Sequence, residues 1–269
     1  MASSAAEQLL RDGHLDKALE QLQNAVRKQP ADAKLRTFLF QLLAVRGEWK
    51  RALNQLQVVA GLDASALPMV QTYREAIRCE LLRERVFSGQ STPLAFGEPS
   101  QWFALLVEAL RLLAEGHHGE SADFRNRAYQ DALPTAGTVD GQGFDWIADA
   151  DSRLGPVLEV ILNGRYYWMP FDSLRRIEIE VPGDLRDVVW MPAHLEFNNG
   201  GECVGLIPTR YCGTSQSQDA MLALARKTEW TEVGEGAYFG LGQRVLVTDS
   251  GEYALMDVRE IVLSGGDLA

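Results

Sequence analysis

Gly13-His14-Leu15, followed by Ala18, Leu22, Ala25 and Pro30, is echoed by Gly47-Glu48-Trp49 with Ala52, Leu56 and Val59, a spacing of 34 residues (47 minus 13). That length suits one helix–turn–helix unit, and chains built from such units stack them because no single unit buries its own apolar face. Each glycine takes the turn between two helices, where positive φ costs nothing without a Cβ. Ala18 and Ala52 stay small where the helices cross, and Leu22, Ala25, Leu56 and Val59 seal the second helix against the next unit. The second copy carries Ala64 where the first has Pro30, and the first lacks most of its leading-helix signature.

The period is that of tetratricopeptide (TPR) repeats, and the flanking sequence agrees with it. Apolar positions between Ala6 and Val26 recur at three and four, with a turn at Asp12-Gly13. A third helix is expected over Leu67–Phe87, with Pro68 in its first turn. Gly89, Pro93, Gly97 and Pro99 make 88–100 a loop; Ser100 caps a buried helix running to about Glu115, and Ser121 caps a last one ending at Pro134.

From Thr135 the texture changes to alternation and turns. Strands are expected at Val157–Leu162, Tyr166–Met169, Ile177–Val181, Val188–Met191, Val204–Pro208, Arg244–Thr248 and Tyr253–Met256, with one helix at Asp219–Lys227. Gly164-Arg-Tyr-Tyr-Trp-Met169 and Gly251-Glu-Tyr-Ala-Leu-Met256 echo each other, and each leads to a later Arg-x-Ile at 175–177 and 259–261. The expected fold is α+β: an N-terminal TPR-like helical repeat domain over 1–133, then a β-rich small barrel or sandwich over 134–269.

Charge narrows the function. Residues 1–133 hold 16 Lys+Arg against 16 Asp+Glu, which leaves 10 against 21 for 134–269, the whole net charge of −11. An acidic half beside a neutral one lacks the basic face that nucleic acid or an anionic membrane requires, so neither is an expected partner. No leader peptide and no spanning segment is expected. Cys79, Cys203 and Cys212 have no metal-ligand spacing and read as reduced thiols, which points to the cytoplasm. With its balanced charge and local repeats, the helical half is expected to fold alone.

The strongest candidate for chemistry is Asp149, Asp151 and Glu159, whose carboxylates are the kind that hold a divalent cation in a metal-dependent enzyme. Arg153 stands close enough to pair with one of them, no glycine-centred calcium loop follows, and a buried Asp–Arg network is the favoured reading. His117-His118 reads as a solvated loop pair. Cys203 or Cys212 with His194 lacks any feature that would stabilise a thiolate. Gly234-Glu-Gly236 and Gly240-Leu-Gly242 resemble phosphate loops, but the second precedes a strand and fits a bulge or tight turn. No catalysis, cofactor or metal is expected.

Asp149-Ala-Asp151-Ser-Arg-Leu-Gly-Pro156 with Glu159, Gly164-Arg-Tyr-Tyr-Trp168 with Pro170, Arg186-Asp187 with Trp190, Ile207-Pro-Thr-Arg-Tyr211, Thr228-Glu-Trp230 and Gly240-Leu-Gly-Gln-Arg244 occur in one order. In this the chain resembles the ImpE (TagJ) family, over essentially its whole length. The resemblance implies a non-catalytic accessory protein of the bacterial type VI secretion system, associated with the contractile sheath. It further implies binding of the N-terminal helix of the small sheath subunit, TssB, and a link to the ClpV ATPase that recycles spent sheath.

A helical-repeat groove receiving an amphipathic helix is a mechanism consistent with that role. The concave positions of TPR units map to Glu7 and Leu10 in the first unit, Lys34, Thr37 and Gln41 in the second, and Gln71, Glu75 and Arg78 if the third helix continues the stack. Two rival functions remain: the metal-dependent enzyme, and a scaffold whose helical half only dimerises.

Overall fold

The computed structural model describes residues 2–234 and 236–264. Helices α1 (Ala2–Arg11) and α2 (Leu15–Lys28) form one hairpin, and α3 (Ala33–Val45) and α4 (Trp49–Leu62) a second. Gly13 and Gly47 make their turns at φ 78° and 67°. In each, the glycine N–H donates three residues back, to Leu10 or Ala44, and the next N–H five back, to Leu9 or Leu43. This closes the last carbonyls of the leading helix. The long α5 (Leu67–Phe87) follows, with the bounds expected for it and Pro68 in its first turn.

A third hairpin joins α6 (Gln101–Ala114) and α7 (His118–Asp131) through Gly116 at φ 85°, with the same bonds to Leu113 and Leu112. The sequence reading placed a helix start at Ser121 here; the helix begins at His118, and the buried Ser121 hydroxyl donates to the Ala109 carbonyl at 2.7 Å, tying α7 to α6.

The second half carries a nine-stranded sheet. In chain order its strands are β1 (Leu94–Ala95), β2 (Gly137–Val139), β3 (Gln142–Phe144), β5 (Val157–Leu162), β6 (Arg165–Pro170), β7 (Leu174–Ile179), β8 (Trp190–Phe197), β9 (Glu202–Pro208) and β14 (Glu260–Leu263). Their order in space is β1-β6-β5-β9-β8-β7-β14-β2-β3. Every pairing is antiparallel except β1 with β6. A three-stranded sheet runs β13 (Glu252–Ala254), β12 (Val245–Thr248), β4 (Ile147–Asp149), and β10 (Thr228–Glu232) pairs with β11 (Tyr238–Gly242). The two echoing motifs meet: Ile177 on β7 and Ile261 on β14 are cross-strand partners.

Two expected elements differ. Val188–Met191 is not one strand: Asp184 and Asp187 form a reciprocal capping box over a 3-10 turn at Leu185–Val188, and β8 starts only at Trp190. The helix expected over Asp219–Lys227 shrinks to α8 (Ala220–Ala223), capped by Asp219 and ended by Ala225 at φ 53°. Glu235, the centre of the Gly234-Glu-Gly236 turn, lies outside the described residues.

The larger apolar cluster does not stop at the end of α7. Leu22, Phe40, Leu56, Tyr73, Ile77 and Phe103 pack in the same cluster as Leu154, Ile161, Trp168, Trp190, Leu206 and Tyr211. The helix ends are also closed by the strand half. Arg226 donates to the Leu10 and Arg11 carbonyls at 2.9 and 2.7 Å, and the buried Arg210 donates to the Val45 carbonyl at 2.7 Å. Cations at a helix C-terminus satisfy orphan carbonyls and complement the dipole. A second cluster, which includes Phe171, Ile177, Met191 and Leu246, is shared by the nine-stranded and three-stranded sheets.

Candidate functional site

Helix α5 turns Tyr73, Ala76, Ile77, Glu80, Arg83 and Val86 inward. Two charged residues on an otherwise apolar stripe need partners, because an unpaired buried charge costs several kcal/mol or more. Arg83 donates Nε and Nη2 to the two Glu159 oxygens at 2.6 and 2.8 Å, and Nη2 also reaches the Arg210 carbonyl at 2.8 Å. Glu80 faces Arg83 at 3.4 Å and accepts from the Trp190 indole at 3.0 Å.

Glu159, on β5, also accepts from Arg244 and from the Tyr166 hydroxyl, which in turn accepts the Trp168 indole N–H at 2.7 Å. Arg244 continues to Asp149 and donates Nε to the Pro208 carbonyl at 2.9 Å. The Tyr211 hydroxyl stands 3.0 Å from Asp149 and accepts the Val245 N–H at 3.0 Å. Asp151 accepts from Arg153 Nε and from the Gly240 N–H, both at 2.8 Å, while the Arg153 guanidinium lies 4.9 and 4.6 Å from the Phe87 and Phe239 ring centres.

Carboxylates at 80, 149, 151 and 159 thus face guanidiniums at 83, 153 and 244, almost all out of water, while the buried Arg210 donates to the Val45 and Ala223 carbonyls. The electrostatics differ from one acid to the next. Burial acts upward on Glu159, but Arg83 and Arg244 on either side hold it down at about 2. Burial wins at Asp149 and pushes it up to about 6 against Arg244, with Asp151 adding to the rise. The Asp149, Asp151 and Glu159 carboxylates are therefore occupied by arginines, and no group of His, Cys, Asp or Glu arranged to hold a metal occurs among the described residues. Sequence reasoning missed Glu80 and Arg83, whose signal was a Glu and an Arg on the inward stripe of α5, and singled out Arg210 only as part of a family motif.

The eight groove positions separate into two sets. Glu7, Leu10, Lys34, Thr37 and Gln41 line one depression of 810 Å³, closed on the far side by Pro182–Leu185, Val188, Leu224 and Arg226. Leu10 and Gln41 are buried, and Gln41 reaches Asp184 at 3.4 Å, so the strand half already occupies part of this face. Gln71, Glu75 and Arg78 lie apart on α5: Gln71 donates to Glu75, Glu75 packs over Gly164 in the β5–β6 turn, and Arg78 is exposed.

Helical hairpins joined to a mostly antiparallel sheet through a buried network of acids and arginines define a scaffold with a depression at the seam. A family model described as ImpE protein matches residues 141–262. The chain is 54% identical over 256 residues to the type VI secretion system accessory component TagJ of Pseudomonas aeruginosa, covering 95% of this chain and 90% of that protein. This chain belongs to the ImpE family. A crystal structure of a Vibrio parahaemolyticus protein shares the fold, with a TM-score of 0.87 at 24% identity over 96% of this chain and 97% of that one.

Proposed function

We propose that this chain is an accessory adaptor of a type VI secretion system. In this reading its helical half, a TPR-like array, receives the N-terminal helix of the small sheath subunit TssB, and the protein connects the sheath with the ClpV ATPase in the cytoplasm. The β-rich half over 134–269, a small barrel or sandwich, serves as the platform that holds the array rigid. The relationship to TagJ supports the system assignment. The observation that carries the binding mode is the 810 Å³ depression, where Leu10, Phe38, Leu185 and Val188 offer an apolar floor between Glu7, Lys34, Asp63 and Asp184. An amphipathic helix buries its stripe on such a floor, and the flanking charges set its register.

Titration calorimetry with a synthetic peptide of the TssB N-terminal helix tests the site. Lys34→Glu should weaken binding about tenfold, about 1.4 kcal/mol, because a reversed charge then meets the partner's matching group. Arg78→Glu, outside the depression, should change affinity less than about twofold. Equal loss from both variants, or none from Lys34→Glu, would remove the partner from this site. Loss of ClpV from pull-downs with the wild-type chain would remove the second half of the reading.

A further inference from the structure

The hairpin of β10 and β11 is a sheet of two strands whose edges differ. The Gln243 N–H donates to the Lys227 carbonyl at 3.0 Å and the Val233 N–H to the Ala237 carbonyl at 2.8 Å, with an unbroken register between them. These bonds set the phase of the ladder. Glu229 and Thr231 bond to β11, so the backbone groups of Thr228, Trp230 and Glu232 point away from it. Their partners Gly242, Gly240 and Tyr238 point outward from β11, and each of these is held by the body of the protein. Tyr238 bonds with Ser152 in both directions, the Gly240 N–H donates to Asp151, and Gly242 donates to Thr214 and accepts from Tyr211. On β10 the N–H groups of Thr228, Trp230 and Glu232 meet no acceptor among the described residues, and Glu229 to Glu232 are exposed.

Such an edge is a template for another strand, and proteins blunt it with Pro, a bulge or unpaired charge. Thr228–Glu232 has no Pro and no bulge, and Glu229 is paired with Lys227 at 2.6 Å, which leaves Glu232 alone. The strand fits itself. Its outward residues are spaced evenly about Trp230, so a second copy laid antiparallel, Trp230 opposite Trp230, brings each outward donor to an outward acceptor. Glu232 then faces Thr228 and Glu229 faces Thr231, and no like charges are directly opposed. The Trp230 ring, 5.5 Å from the Tyr211 ring centre yet 38% exposed, meets its own copy.

We propose that two copies of the chain pair through β10 about a two-fold axis at Trp230. The two hairpins become one four-stranded antiparallel sheet with about six new backbone hydrogen bonds. Leu224 and Arg226, which line the helical depression, stand just before β10, so the pair carries two such depressions in one particle. The pairing does not depend on what that depression binds.

Sedimentation of the full chain at rising concentration tests this. Twice the mass of one chain is expected at about 100 µM, with the monomer returning on dilution. Trp230→Pro removes an outward N–H and spares the bonds to β11, so it should weaken association about tenfold or more while the thermal melt stays near that of the wild type. Trp230→Cys reads the register independently. Only this position meets its own copy, at about 5.5 Å between Cα atoms, so oxidised glutathione should give a covalent dimer that a reductant reverses. Thr231→Cys, also exposed, faces Glu229 and should cross-link about tenfold less. A chain that is monomeric at about 100 µM overturns the proposal. So does a dimer indifferent to Trp230→Pro, or equal cross-linking from both cysteine variants, and the latter comparison decides alone where Trp230→Pro fails to fold.

Discussion

Arg83 on α5 and Glu159 on β5 meet fork to fork, two N–H donors on two carboxylate oxygens, at a seam between helices and sheet where neither is exposed. The pair is 76 residues apart in sequence. Its partners extend it in both directions, through Glu80 to Trp190 and through Arg244 to Asp149. Residues that carried the family resemblance, Asp149, Asp151, Arg153, Glu159, Tyr166, Trp168, Trp190, Tyr211 and Arg244, are the members of this one interior network or their immediate partners.

Removing one member should therefore cost more than replacing the pair. Glu159→Gln leaves Arg83 with only Glu80 and Arg244 with only Asp149 as neutralising partners and should lower stability by about 3–5 kcal/mol. Arg83→Met with Glu159→Leu should recover part of that loss. Urea denaturation of both variants checks this, and a single variant as stable as wild type would mean that the network is not needed for folding.

Gly240-Leu-Gly242 can be separated from any phosphate-binding role by its steric surroundings. A Cβ at Gly242, which has φ 93°, would meet the Lys227 carbonyl at 2.1 Å; at Gly240 it would meet the Tyr211 ring at 2.3 Å. Gly242→Ala should destabilise by about 1–3 kcal/mol. Gly61→Ala, inside α4 with nothing within 4 Å, should stabilise by up to about 1 kcal/mol. Thermal melts of the two variants should shift in opposite directions.

Much of the helical half was legible because its signals are local. The 34-residue spacing located the turns at Gly13 and Gly47, and Pro68 with the loop after Phe87 marked the ends of α5. Both helices of the third hairpin were expected, but not as a copy of the repeat, since Gly116 falls 69 residues after Gly47, one more than two periods, and α6 is apolar on most sides. In the strand half β5 was legible from its unbroken run of apolar residues, all buried. Strands β2, β3, β4 and β14 were not, being three or four residues long with no alternation to read. The network was half visible: Arg153 beside Asp151 is a sequence neighbour, whereas Arg244 lies 95 residues from Asp149 and only the fold brings them together.

The shared core argues against the expectation that the helical half folds alone. Residues 1–133 without the strand half would strip Trp49 and Tyr73 of Trp190 and Phe87 and Phe103 of Trp168, leave Arg83 with only Glu80, and open the ends of α1 and α3 that Arg226 and Arg210 close. Such a fragment should keep helical circular dichroism but bind ANS and melt without a cooperative transition. A sharp melt near that of the full chain would instead make the helical half an independent domain.

The two central carboxylates give opposite responses to pH. Glu159 titrates at about 2 in the folded chain against an ordinary 4.5, so between these values the unfolded chain binds more protons and stability rises with pH. This contribution is complete above about 4.5 and is lost as pH falls through about 2. Asp149 behaves in reverse. Its folded value is raised from 3.8 to about 6, so the folded chain binds more protons over that interval, and the contribution present below 3.8 is lost as pH rises through about 6. Glu159 therefore produces a rising limb below pH 4.5 and Asp149 a falling limb from about pH 4 to 6. Asp149→Asn, which keeps an acceptor for Tyr211, should abolish the falling limb and leave the rising one. Glu159→Gln should do the opposite, on a lower overall stability. Denaturant midpoints measured across this range check both. A falling limb that survives in Asp149→Asn would assign it to another group and leave Asp149 ionised throughout, as its Arg244 partner alone would favour.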